Sequence, residues 1–141
     1  AYFEGQRDQR IHEYPHWVNL MMVLKGEHKV IGSVGIGVTS KEQRQASIGW
    51  MLGCRYQRQG LATEAARALV DFGFNSMGLH RIFARTGKAN ARSWRLMERL
   101  GMRREAHFRQ SHKVGDEWDD EFVYAILAHE WKGVQVGEGT G

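Results

Sequence analysis

The spacing of apolar and polar positions changes character several times along the chain, and each change marks an element. Trp17–Lys25 is β-rich and largely apolar, carrying Trp17, Val18, Leu20, Met21, Met22, Val23 and Leu24. Gly26, Glu27 and His28 read as a turn, and Lys29–Thr39 follows as a second strand, so the two predict a hairpin. Gln45–Leu52 predicts a third strand with Ile48, Trp50 and Leu52 on one side. From Gly60 the period lengthens. Leu61, Ala65 and Leu69 recur at helical spacing, as do Ala62, Ala66, Val70 and Phe74, which predicts a helix over Gly60–Met77. Gly78 then stands where a left-handed C-terminal cap belongs.

Alternation returns over Leu79–Thr86, with Ile82, Ala84 and Thr86 opposite Arg81, Phe83 and Arg85. Asn90–Leu100 reads as a second helix closed by Gly101, and Met102–Ser111 and Trp118–Ala128 as two strands around a turn at Gly115. The order β-β-β-α-β-α-β-β predicts an α/β (α+β) domain, its one mixed sheet flanked by helices.

Composition narrows the class. A chain of 141 residues fits one domain, here 1–132, and Gly133–Gly141, where Gly137, Gly139 and Gly141 alternate with polar residues, reads as a flexible tail. A single cysteine, Cys54, excludes an internal disulfide framework and fits a reducing, cytoplasmic setting. No apolar run approaches the roughly 20 residues that span a bilayer. The net charge of +4 suits an anionic partner, which a phosphate-bearing cofactor satisfies as well as nucleic acid does.

Chemistry concentrates in Gln57-Arg58-Gln59-Gly60-Leu61-Ala62, between a strand and a long helix. The first turn of a helix leaves backbone N–H groups unpaired and carries partial positive charge from the aligned peptide dipoles. Gly60 and Ala62 keep bulk away, so a pyrophosphate can approach the backbone, and Arg58 can add a charge-assisted contact. A glycine-containing strand-to-helix turn with no ligand is the alternative reading of this hexapeptide alone.

Gln57-x-x-Gly60-x-Ala62 resembles the acetyl-CoA signature of the GNAT superfamily of N-acetyltransferases. Ile48-Gly49-Trp50-Met51-Leu52, Ala62-Thr63-Glu64-Ala65 and Asn90-Ala91-Arg92-Ser93 are similar to its ribosomal-protein N-terminal (RimJ/RimL-like) branch. So are Leu100-Gly101-Met102-Arg103-Arg104-Glu105 and Gly115-Asp116-Glu117-Trp118-Asp119-Asp120-Glu121. The resemblance covers roughly residues 17 to 130 in order. It implies a mostly antiparallel sheet with a V-shaped cofactor cleft between Gln45–Leu52 and Leu79–Thr86. The family's N-terminal strand and helical region would be largely missing, with Ala1–Tyr14 as its remnant.

By the same resemblance, the backbone at Trp50, Met51 and Leu52 would hold the acetyl carbonyl and pantetheine arm of acetyl-CoA. Gln57, Arg58, Gln59, Gly60, Leu61, Ala62 and Thr63 would bind its phosphates. Asn90 matches the family's pantetheine-contacting asparagine, although asparagine is also a good helix N-cap. Many relatives place a proton-donating tyrosine seven residues later, where this chain has Met97, which cannot donate a proton. Ser93 shares the helix face of Asn90 and Met97 and matches the branch's serine. That makes Asn90 and Ser93 the catalytic candidates, with Ser93 hydrogen-bonding the leaving sulfur. Relatives often carry glutamate where Ser47 stands, so Glu105, His107, His112 and Glu27 stay open as bases.

The implied activity is direct attack of a primary amine, of a protein N-terminus or a small molecule, on acetyl-CoA, by a monomer or homodimer. Cys54 is not needed as a nucleophile and no metal is expected. Three other readings compete. His12-Glu13-Tyr14-Pro15-His16 spells a zinc-hydrolase pattern, but Pro15 would break the helix that pattern needs. Arg7, Arg10, Arg92, Arg95, Arg99, Arg103, Arg104 and Arg109 allow a nucleic-acid surface, or simply a solvated face. A non-catalytic acyl-CoA sensor would share every cofactor residue. The acidic run Asp116–Glu121 could draw a cationic acceptor or be merely solvated.

Overall fold

The computed structural model describes residues 17–57 and 60–133. Its elements follow the predicted order: β1 Trp17–Leu24, β2 Lys29–Ser40, β3 Gln45–Leu52, α1 Leu61–Asn75, β4 Arg81–Gly87, α2 Ala91–Arg99, β5 Arg103–Val114 and β6 Glu117–Leu127. The six strands form one sheet in the order β1-β2-β3-β4-β6-β5. Every pairing is antiparallel except β3 with β4. The α+β class expected from the sequence is therefore the observed one.

Both helices lie on one side of this sheet, and the strand alternation decides which side chains they cover. Ala46, Ile48, Ile82, Ala84, Phe122, Tyr124 and Ile126 are buried with Leu69 and Val70 of α1 and Leu96 and Met97 of α2. Fully burying one large aliphatic side chain contributes about 1.5–3 kcal/mol, so this shared layer is a substantial part of what holds the helices to the sheet. Helix α1 comes close to the sheet because small residues line its inner face: Ala65, Ala66 and Gly73 are all buried. A Cβ on Gly73 would stand 2.9 Å from Ile82 Cδ1 and 3.1 Å from Leu79 Cδ1, so a side chain there would require those two side-chain ends to shift.

The helix ends depart slightly from expectation. α1 stops at Asn75 and Gly78 takes up φ +70 three residues beyond, past a Ser76 cap that is still right-handed. At α2 the glycine does close the helix. Gly101 adopts φ +89, its N–H bonds to the Glu98 carbonyl, and Met102 N–H bonds to that of Met97. This is the paired-bond ending a left-handed residue makes possible.

Candidate active site

Two structural features converge where β3 ends and α1 begins. The first is a break in the sheet. β3 and β4 pair only at Gln45–Arg81, Ala46–Ile82 and Ser47–Phe83. Beyond Ser47, β3 stays paired to β2 as far as Leu52, while β4 stays paired to β6 as far as Gly87. The facing edges from Ile48 and Ala84 onward have therefore parted, which leaves β3 backbone groups unused inside a wedge. Trp50 and Leu52 pack toward the core and Met51 is 73% exposed, so what this segment offers the wedge is main chain.

The second feature is an uncapped helix start. Gly60 is the N-cap residue of α1, at φ 73 and ψ 4, and having no side chain it makes no side-chain cap bond. The first amide to bond back is that of Glu64, to the Gly60 carbonyl at 3.0 Å. The amides of Leu61, Ala62 and Thr63 thus have no intrahelical acceptor and project from the positive end of a 15-residue helix. Glycine is required at position 60 by its backbone angle rather than by crowding, since a Cβ there meets nothing within 4 Å among the described residues. The Gln57 side-chain amide donates to the Leu52 carbonyl at 3.1 Å, tying the connecting loop to the tip of β3. Arg58 and Gln59 lie outside the described residues. So does the His12–His16 pattern, and among the described residues no cluster of His, Cys, Asp or Glu could hold a metal ion.

Asn90 and Ser93 stand at the N-terminus of α2, reached from the tip of β4. Asn90 Oδ1 accepts the Ser93 N–H at 3.3 Å, so the capping role is real, and the Asn90 side-chain NH2 is left without a partner among the described residues. The Ser93 hydroxyl likewise makes no hydrogen bond there. The loop before the helix is held closely: Lys88 N–H donates to the Asp120 carbonyl at 2.8 Å, Ala89 N–H to Asp119 Oδ2 at 3.1 Å, and Trp94 Nε1 to the Lys88 carbonyl at 3.1 Å. Asn90→Ala is expected to cost about 1 kcal/mol of stability through the lost cap. Asn90→Asp, which keeps the acceptor, should restore most of it in thermal melts.

Met97, at the position of the expected tyrosine, is 2% exposed and part of the core. The tyrosine that does sit against α2 is Tyr124. Its hydroxyl donates to Glu98 Oε2 at 3.0 Å and accepts from Arg104 Nε at 3.0 Å, and the Arg104 guanidinium lies 3.8 Å from the Phe122 ring centroid. Burial, the largest influence, pushes the Tyr124 phenol above its usual range. This trio fastens α2 to the sheet, and no sequence spacing pointed to it.

The open candidates for a base separate by position. Glu105 pairs with Arg81 at the closed end of the β3–β4 seam, away from the wedge, and Glu27 lies in the turn between β1 and β2. His107 Nε2 lies 2.6 Å from Asp120 Oδ2, and His112 Nε2 lies 3.7 Å from Asp119 Oδ2. The Gln110 amide and His107 hold the Asp120 carboxyl below its ordinary range. Glu121 lies 3.7 Å from Arg85. Asp119 and Asp120 are thus engaged in hydrogen bonds inside the chain, while Glu121 makes only this longer ion-pair contact. Among the described residues several of the arginines are engaged inside the chain: Arg103 pairs with Glu130, Arg104 with Tyr124, and Arg95 stacks over Trp94; Arg7 and Arg10 lie outside them.

Comparisons with known proteins agree with this geometry. Residues 2–103 match the family described as acetyltransferase (GNAT) domain. The uncharacterized N-acetyltransferase YnaD of Bacillus subtilis is 40% identical over 110 residues, which are 78% of this chain and 64% of that protein. The chain therefore spans a little under two thirds of that relative's length. Among solved structures, a GNAT-family acetyltransferase from Bacillus anthracis superposes with TM-score 0.73 at 40% identity, covering 79% of this chain and 67% of that one. The ribosomal-protein-S5-alanine acetyltransferase of Vibrio fischeri gives TM-score 0.75 at 26% identity, covering 86% and 67%. With the family match over most of its length, a wedge between parted strands and an open helix start beside it, the chain belongs to the GNAT acetyltransferase family.

Proposed function

We propose that this chain binds acetyl-CoA and transfers its acetyl group to a primary amine, on a protein N-terminus or a small molecule. The observation that carries the reading is the uncapped, glycine-started N-terminus of α1 placed beside the free edge of β3. A cradle of amides at a helix start is a ready anion site. Leu61, Ala62 and Thr63 would hold the diphosphate through their N–H groups, helped by Arg58 and Gln59, while Gln57 keeps the Leu52 tip in register. The backbone at Trp50, Met51 and Leu52 would hold the acyl end, and the Asn90 amide would steady the arm.

Acetyl-CoA supplies the activated thioester when bound. The chain's own contribution would be positioning and charge stabilisation: β3 amides would hold the carbonyl oxygen, and the Ser93 hydroxyl would hydrogen-bond the departing sulfur. Cys54 has no part in this route. No metal is required by it. The lone cysteine favours a cytoplasmic setting, and either a monomer or a homodimer is compatible with it. The likeness to the ribosomal-protein acetyltransferases favours a protein α-amine as one acceptor.

The test has two parts. Calorimetry should show acetyl-CoA binding, and release of free thiol with an amine panel should show turnover. Ser93→Ala is expected to lower kcat by about 100-fold while leaving acetyl-CoA affinity unchanged. The buried methionine at position 97 favours one second reading, an acyl-CoA sensor without turnover. Binding with no thiol release across peptides, amino acids, aminoglycosides and polyamines would establish it.

A further inference from the structure

The wedge opens onto the sheet face turned away from both helices, and there it meets a cavity of about 350 Å³ lined by Thr39, Ser47, Ile48, Phe83 and Arg85. Ser47 and Phe83 form the last rung of the β3–β4 seam, so the cavity begins where the strands part. Thr39 Oγ1 donates to the Gln45 carbonyl at 3.2 Å and keeps its lone pairs, and the Ser47 hydroxyl has no partner among the described residues. Among the described residues Arg85 is the cation of this lining, and no carboxylate is part of it. Glu121 stands beside it, across the β4–β6 pair from Gly87.

The Arg85–Glu121 separation of 3.7 Å exceeds the roughly 2.7–2.9 Å of a charge-assisted hydrogen bond. The pair is loose, and both groups retain open hydrogen-bonding positions. A cation and an anion held this far apart complement a molecule whose ammonium and carboxylate are separated by one or two carbons. A polyamine has no anion to offer and would bring further positive charge against Arg85.

On the acetyltransferase reading above, we propose that Arg85 and Glu121 select an acceptor amine that carries a carboxylate. Arg85 receives the carboxylate with the Thr39 and Ser47 hydroxyls beside it, Glu121 receives the ammonium, and the Phe83 ring supports the carbon skeleton. Two sources have this chemistry: a free amino acid, and a peptide whose first residue is acidic.

Alanine, alaninamide and ethylamine form a series for the test, with spermidine and the peptide amide Asp-Ala-NH2 as further acceptors. The wild type should use alanine or the acidic peptide with kcat/KM about 10-fold or more above ethylamine and spermidine. Whichever of the two is better identifies the source. Arg85→Gln should erase that margin, Arg85→Lys should retain part of it, and acetyl-CoA affinity should be the same in all three proteins. Spermidine or ethylamine matching the carboxylate-bearing amines in the wild type overturns the proposal. So does an equal loss with every amine in Arg85→Gln.

Saturation-transfer NMR with alanine or Asp-Ala-NH2 alone gives a readout that needs no turnover. Binding that disappears in Arg85→Gln supports the selector even where acetyl-CoA fails to bind, an outcome that would sink only the acetyltransferase reading. No contact between the wild type and either alanine or Asp-Ala-NH2 overturns the selector.

Discussion

Gly60→Glu is expected to reduce acetyl-CoA affinity by at least about 100-fold, measured by calorimetry. The new carboxylate would project from the mouth of the amide cradle, where the proposed site puts the diphosphate. Two unit charges about 4–5 Å apart near a protein surface repel by roughly 3–4 kcal/mol, more than enough for two powers of ten. The residue also has to hold φ 73, a left-handed angle that costs an ordinary residue about 1–2 kcal/mol. Gly60→Ala separates the two effects. Its Cβ enters open space, so it carries the backbone strain without the charge, and its affinity should stay within about tenfold of wild type. Full affinity in Gly60→Glu would remove α1 from the cofactor site.

The second large effect is expected one strand away. A Cβ on Gly32 would stand 2.2 Å from the Met51 carbonyl oxygen, 2.8 Å from Met22 Cε and 2.9 Å from Leu52 Cα. The methionine end can move, but the other two atoms are backbone of the β3 tip, opposite Gly32 in the β2–β3 register. Gly32→Val should therefore lower stability by about 1–3 kcal/mol or more. It should also displace the segment assigned to the acyl end, so thermal stability and acetyl-CoA affinity fall together. Gly49→Ala is the contrasting variant. Among the described residues its Cβ meets only the Trp17 ring, at 4.0 Å, and both properties should survive. Intact acetyl-CoA affinity in a folded Gly32→Val would show that the β3 tip is not part of the site.

The two predictions draw on unequal amounts of sequence information. Gly60 could be singled out from the chain itself, because a strand, a short Gly-containing stretch and a long amphipathic helix in succession have few physical solutions. The same local periodicities placed the strands and both helices within a few residues. Gly32 could not be singled out. Its importance comes from the carbonyl of Met51, a contact that exists only once β2 and β3 are in register. Tyr124 illustrates the same limit, since its partners Glu98 and Arg104 are distant in sequence and meet it only through the packing of α2 on β5 and β6.

The acidic run is a third case. In the sequence Asp119, Asp120 and Glu121 look like one patch of charge. In a strand, consecutive side chains point to opposite faces, so Asp119 turns to Ala89 and His112, Asp120 to Gln110 and His107, and Glu121 to Arg85. Composition could not distribute those partners; only the pleat does.

The short seam between β3 and β4 gives the sheet an unusual mechanical character. It is less a continuous plate than two three-stranded ribbons riveted at three residue pairs, with α1 packed mainly on β2 and β3 and α2 on β4 and β6. Small rotations about the rivet change the separation at the far tips most, as the jaws of a clothes-peg travel further than its spring. A molecule lodged between the jaws therefore touches both ribbons at the point of greatest leverage. Substitutions at Ala46 or Ile82, buried in the rivet itself, act on that gap without touching anything bound in it.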